Sequence, residues 1–223
     1  MSQDVTITTN HVTAFGIKYF RGNAPSVYIA CVGDKETPLI GQNHILVEDS
    51  VPADKLQIRK VTTLDIDQSS ATEKNVDLSV TVPLVGKISA ADASKQMRED
   101  TLKLVLFEIL PKDLVAAANA TPHVIESLKR IGNDGRLVHK VIVAMQAKTA
   151  QAFSNSASLD VSATVKGVKV TAHGGSDSSG STTIELEPRT TFAYLLLKPK
   201  WDASMNKNWK RIEDWEEDQW SFN

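Results

Sequence analysis

The segment Leu102 to Leu110 (LKLVLFEIL) places apolar side chains on both parities of a potential strand, which few architectures can accept. Successive strand residues point to opposite faces, so this strand must be buried on both sides, at the centre of a core. Pro111 ends it. Lys112 to Ala118 and Thr121 to Ile131 then read as two short helices, the second with Thr121 as N-cap, Pro122 in its first turn and Gly132 closing it. Val124, Ile125, Leu128 and Ile131 share one face of that helix, and Lys129 and Arg130 sit in the last turn, where the helix dipole favours cations. After the turn Asn133-Asp134-Gly135, Val141, Val143, Met145 and Ala147 alternate with Ile142, Ala144, Gln146 and Lys148, and the chain is again a strand.

Two alternating hairpins are expected around this centre. Val76, Leu78, Val80 and Val82 form the apolar side of one half-exposed strand; the polar stretch Lys87 to Thr101 is its long tip, and Leu102, Leu104 and Leu106 return. Val141, Val143 and Met145 lead into the second, which turns at Thr149 to Ser158 and returns through Leu159, Val161, Ala163 and Val165, with Gly167 marking a bulge. Near the start, Val5, Ile7 and Val12 alternate weakly. Ser26 to Val32 is expected as a strand, Asp34-Lys35-Glu36 as its turn and Pro38 to Leu46 as its partner, with a helical turn around Pro52. The fold class is α+β: a twisted, mostly antiparallel sheet with helices packed against it.

Several functions are argued against. The chain has 223 residues, enough for one substantial core, and a formal charge of -2 that offers nucleic acid no general attraction. Cys31 is the only cysteine; it fits a reducing compartment and packing rather than redox chemistry. The longest apolar run, Phe192 to Leu197, is far short of the roughly 20 residues of a membrane helix. The first residues, MSQDVTITTNHV, lack the pattern of a secretory signal, so a cytoplasmic protein is expected. His11, His44, His123, His139 and His173 show no metal-ligand spacing, and Asp65 and Asp67 read as a solvated strand face. In HGGSDSSGS, Gly175 and Gly180-Ser181-Thr182 imitate a phosphate-binding loop without its lysine or its following helix. No enzyme and no cofactor are expected.

The stretch 201–223 differs in composition from the 200 residues before it. It holds all four tryptophans, Trp201, Trp209, Trp215 and Trp220, and three cations against six acids, a net -3 that leaves +1 on the rest. An acidic, aromatic tail beside a faintly basic body points to docking. Trp209 and Ile212 share a helical face with Glu216 near its edge, so a short amphipathic helix is expected, either completing the core or covering an assembly surface.

LKLVLFEILPKDLVAA, HVIESLKRIGNDGRLVHKVIVAMQAKTA and TIELEPRTTFAYLLLKPKW, with Pro188 and Ala193-Tyr194 near the end, together resemble the second half of the gasdermin pore-forming domain. The resemblance covers about half the chain and implies a gasdermin-like domain over residues 1–200 with a regulatory tail. It implies a cytoplasmic protein that is activated by tail release or by a partner protein, forms a ring of copies on acidic membranes and permeabilises them. In that reading the two hairpins insert, because strands cross a bilayer only in a closed barrel with an apolar outer face of about 9–11 residues per strand. Lys18, Arg21, Lys55, Arg59 and Lys60 are the candidates for acidic lipid, each such cation contributing about 1 kcal/mol near a membrane. Bacterial gasdermins carry a lipidated cysteine beside the first methionine, and none stands there. The alternative is a soluble interaction or sensor module that uses the same sheet without inserting.

Overall fold

The computed structural model describes residues 4–52, 56–66, 80–82, 86–148, 150, 168–173, 181–186, 190–202 and 210–221. In chain order the elements begin with β1 (Asp4–Ile7), β2 (His11–Ala14), β3 (Ile17–Phe20), β4 (Cys31–Glu36), β5 (His44–Ser50), β6 (Arg59–Ile66), β7 (Val80–Val82) and β8 (Gly86–Ile88). Next come α1 (Ala90–Arg98), β9 (Leu102–Glu108), α2 (Pro111–Asn119), α3 (Pro122–Ile131) and β10 (Gly135–Gln146). The last are β11 (Val168–His173), β12 (Ser181–Leu186), β13 (Thr191–Trp201) and β14 (Ile212–Asp218). Ten strands form one sheet in the order β14-β13-β3-β2-β1-β6-β9-β10-β4-β5, and β10 also pairs with β13, so the sheet nearly closes into a barrel. All of its pairings are antiparallel except β1 with β6.

The central strands are buried on both faces, as the sequence of β9 requires. Val105 and Phe107 of β9, Val141, Val143 and Met145 of β10, and Tyr194 and Leu196 of β13 join one core with Leu114 and Ala118 of α2 and Val124, Ile125 and Leu128 of α3. The opposite parity, Leu102, Leu104 and Leu106, Ile142 and Ala144, and Ala193 and Leu195, meets Val5, Ile7, Val12, Tyr19 and Leu64 across the curled sheet, with Ala93 and Met97 of α1 as a cover. Burying each large side chain contributes about 1.5–3 kcal/mol, which is why strands with two apolar faces take the middle. Tyr194 meets the cost of burying its hydroxyl by accepting from the Ile45 amide at 3.0 Å and donating to the Gly22 carbonyl at 2.7 Å.

Local signals placed α2 and α3 correctly, with Pro111 and Pro122 in the first turns and Gly132 at the C-cap with φ 84°. Thr121 stands at the N-cap, yet its hydroxyl donates to the Ala117 carbonyl at 2.7 Å and ties the end of α2 to the start of α3. Other expectations are corrected. The partner of β9 is not the Val76–Val82 strand: β9 lies between β6 and β10, and β7 pairs with β8. Where a long polar tip was expected, α1 forms, capped by Ser89, whose hydroxyl accepts from the Asp92 amide at 3.2 Å and donates to its carboxylate at 2.7 Å.

The first hairpin is displaced along the chain: Cys31–Glu36 pairs with His44–Ser50, and Asp34-Lys35-Glu36 lies within the strand rather than at its turn. Gly33 sits beside an irregularity in that pairing, where an added Cβ would stand 2.0 Å from the Leu46 carbonyl oxygen. Of the helical turn expected around Pro52, Val51 and Pro52 carry no helical structure and Ala53, Asp54 and Lys55 lie outside the described residues. β10 begins at Gly135, six residues before the expected Val141, because Arg136, Leu137, Val138 and His139 are also buried. His173 and Ser181 are the facing end residues of β11 and β12, and residues 174–180 between them lie outside the described residues. Gly167 and the return segment Leu159, Val161 and Val165 lie outside the described residues, as do Val76 and Leu78.

Candidate functional site: the groove that holds the C-terminal strand

The acidic segment IEDWEED is a strand, not the expected helix. Its i, i+3 spacing of Ile212 and Trp215 suits a helix as well as a twisted strand, and the free edge of β13 decides between them. Leu196 to Trp201 pair with Asp218 to Ile212 along that edge, with an irregularity between Lys200 and Trp201. At one end the side-chain amide of Asn119, the last residue of α2, donates to the Ile212 carbonyl at 2.9 Å and accepts from its amide at 2.8 Å. At the other, the Trp220 amide donates to the Lys18 carbonyl at 2.9 Å and Asn43 Nδ2 donates to the Ser221 carbonyl at 3.0 Å. The main chain is therefore held at Ile212, along Asp214 to Asp218, and at Trp220 and Ser221.

The acids of β14 meet cations from three other strands, β4, β10 and β13. Asp218 accepts from Lys35 Nζ at 2.8 and 2.9 Å and from Arg136 Nε at 2.6 Å. Arg136 is itself aimed by donating from Nη1 to the carbonyls of Asn133 at 2.8 Å and Gly135 at 3.0 Å. Glu217 accepts from Lys140 at 2.8 Å. Glu216 lies 3.5 Å from both Lys198 and Lys200, and Asp214 lies 3.8 Å from Lys200. The Asp218 group is nearly closed to solvent, with side-chain exposures of 6% for Arg136 and 13% for Lys35 and Asp218. Breaking such a buried group costs several kcal/mol, about 3–5, whereas the exposed outer pairs contribute about 0–1 each.

Apolar anchors bracket the acids. Ile212 and Trp220 are buried in the core that holds α2 and α3, and Trp215 packs against it. Trp220 stacks on His11 with ring centroids 4.4 Å apart, and Lys18 Nζ lies 5.7 Å from its ring. Burial first, then the charges of Lys18 and Arg21, hold the His11 imidazole below its ordinary pKa. Beneath β14, His139 of β10 is fully buried, and neither ring nitrogen has a hydrogen-bond partner among the described residues. Glu217 Oε1 is 3.5 Å from Nε2, outside good hydrogen-bonding geometry. Burial and the neighbouring Lys140 lower the His139 pKa to about 3 against the weaker opposing pull of the Ile109 backbone, so the ring is neutral near pH 7.

Beside Trp220 the loop joining β4 to β5 forms the mouth of a cavity of about 310 Å³ lined by Asn10, Thr37, Gln42, Asn43, Trp220 and Ser221. The tip of that loop carries Leu39 and Ile40 in full contact with solvent, at 105% and 94% exposure. The two form a small apolar point at the loop tip. Cys31, by contrast, is completely buried, and burial pushes its thiol up to about 12, in keeping with a packing role.

Among the described residues, the candidate cations for acidic lipid fall at two strands. Lys18 and Arg21 lie at β3, where Arg21 Nη1 donates to the Thr8 carbonyl at 2.6 Å and its guanidinium stands 4.5 Å from the Phe192 ring. Arg59 and Lys60 begin β6, opposite Glu108 and Phe107 of β9, and burial lowers the Lys60 pKa. Lys55 and Trp209 lie outside the described residues. The chosen hairpin residues also divide: Leu102, Leu104 and Leu106 face one core, and Val141, Val143 and Met145 the other, so they do not share an outward face. Val80 and Val82 occupy β7.

Sequence reasoning missed Asn119, Lys35, Arg136, Lys140, Lys198 and Lys200; the charge contrast between tail and body was the one signal that pointed to them. No described helix is long and apolar enough to cross a membrane. Comparison with protein-family models, curated proteins and solved structures gives no match.

Proposed function

We propose that this chain is a regulated membrane-permeabilising protein of gasdermin-like design, resting in the cytoplasm with β14 in its groove and acting at an acidic membrane once β14 is released by proteolysis or by a partner protein. The observation that carries the reading is the acidic strand seated among Lys35, Arg136, Lys140, Lys198 and Lys200. Losing β14 leaves those five cations without their acids, and each then attracts anionic headgroups by about 1 kcal/mol. Leu39 and Ile40 supply the apolar contact that seats a loop in the interface. The alternating segments Val76 to Val82 and Leu159 to Val165 supply the strands that enter the bilayer in a ring of copies, leaving the doubly buried β9 and β10 as the frame.

The test is dye release from vesicles of acidic lipid, comparing the intact chain with the same chain cut between β13 and β14. Release by the cut chain alone, with rings on the membrane, is expected. Neither binding nor release by either form overturns the reading. A second reading, a soluble interaction module, is favoured by the hydrogen bonds that hold the main chain of Ile212 and Trp220, and the same vesicles decide between the two.

A further inference from the structure

The contacts to β14 make few demands on what occupies the groove. The β13 edge, the Asn119 amide, the Lys18 carbonyl and Asn43 all bind main-chain atoms, so any extended segment satisfies them. Side-chain requirements fall at three places. An apolar residue is needed where Ile212 is buried, a carboxylate where Asp218 meets Lys35 and Arg136, and an aromatic ring where Trp220 stacks on His11. In the register of β14 these stand six residues apart and then two. Between them Lys198 and Lys200, half exposed and 3.5–3.8 Å from their acids, accept negative charge without fixing its position.

We propose that this groove is a receptor site for an acidic, extended peptide segment of a partner protein, and that β14 is its resident occupant, replaced by strand exchange. The proposal does not rest on the membrane reading. Charge complementarity selects the partner: the groove presents five cations to one strand, and a neutral or basic strand would leave Lys35 and Arg136 buried without a counter-charge. A second copy of this chain is a poorer occupant. Its strand is chemically identical, and the resident one, being tethered, acts at an effective concentration in the millimolar range.

Hydrogen exchange on the intact chain is the first test. Amides of Ile212 to Asp218 are expected to exchange well before those of β9 and β10, showing that β14 leaves without global unfolding; equal protection overturns the proposal. In the second, the full chain is cut within residues 203–209 and titrated with a fluorescent peptide copying residues 210–221. Saturable binding is expected, lost with a scrambled peptide of the same composition and weakened on the order of tenfold or more by Asp218→Asn in the peptide. Equal binding of the scrambled peptide shows attraction by charge alone and overturns the site. Unfolding of the cut chain, or a resident fragment that never exchanges, shows an integral strand and overturns it as well.

Discussion

Acid should loosen this fold through a single imidazole. His139 is fully buried, neither ring nitrogen has a hydrogen-bond partner among the described residues, and its pKa falls from 6.5 to about 3 on folding. The native state therefore binds fewer protons than the unfolded chain at any pH between those values. Stability from this group is complete above 6.5, declines by about 1.4 kcal/mol per pH unit below it, and levels off near the folded pKa. At about pH 4.5 the loss relative to neutrality is about 2–3 kcal/mol.

The assay is urea unfolding of the parent and of His139→Leu at a series of pH values. The variant removes that buried polar ring, so it is expected to hold its own at pH 7.5 and to gain on the parent steadily below pH 6.5. Asp34, whose pKa is raised by burial and then by Glu36, Asp134 and Glu48, works in the opposite sense, because its native state binds the extra proton, and its effect cancels in the difference. Glu217 and Lys140 are the charged groups nearest the ring, one favouring the imidazolium and one opposing it. A difference between variant and parent that is flat with pH refutes the argument, because it shows that the His139 pKa does not change on folding; a slope of the opposite sign shows that Glu217 pairs with a charged His139.

Three further outcomes are expected. Asp218→Asn leaves Lys35 and Arg136 without their carboxylate and should cost about 3 kcal/mol, a fall in Tm of about 6–12 °C for a chain of this size; a shift near zero shows the group is not stabilising. Phe15, exposed and at φ 55° in the two-residue turn Phe15-Gly16 between β2 and β3, occupies a position that asparagine fills better, and Phe15→Asn should raise stability by about 0.5–1 kcal/mol in the same unfolding assay. Leu39→Asp with Ile40→Asp should change stability by less than about 0.5 kcal/mol, yet abolish dye release by the cut chain, which separates a membrane contact from a folding role.

Periodicity and end signals alone determined several elements. Apolar residues on both parities put β9 in the centre, and the Thr121-Pro122 and Gly132 boundaries placed α3, because these depend on residues within a few positions of one another. The Ser89 to Asp92 cap was equally local, but the polar stretch around it hid α1, whose narrow apolar stripe is Ala93 and Met97. Strand pairing was not legible in the same way. Val76 to Val82 read as the neighbour of β9, and only the closing of the sheet gave that place to β6 (Arg59–Ile66).

The candidate site shows the division most clearly. Composition established that an acidic, aromatic tail follows a faintly basic body and that docking of one on the other is favourable. Tertiary structure decided that the tail is a strand, that Asn119 and the edge of β13 hold its main chain, and that cations as distant in sequence as Lys35, Arg136 and Lys200 meet along it. A helix and a strand were both compatible with IEDWEED taken alone. Local preferences differ by a fraction of a kcal/mol per residue, whereas an unpaired strand edge and buried charges bias the conformation by several, and those arise only when distant segments meet.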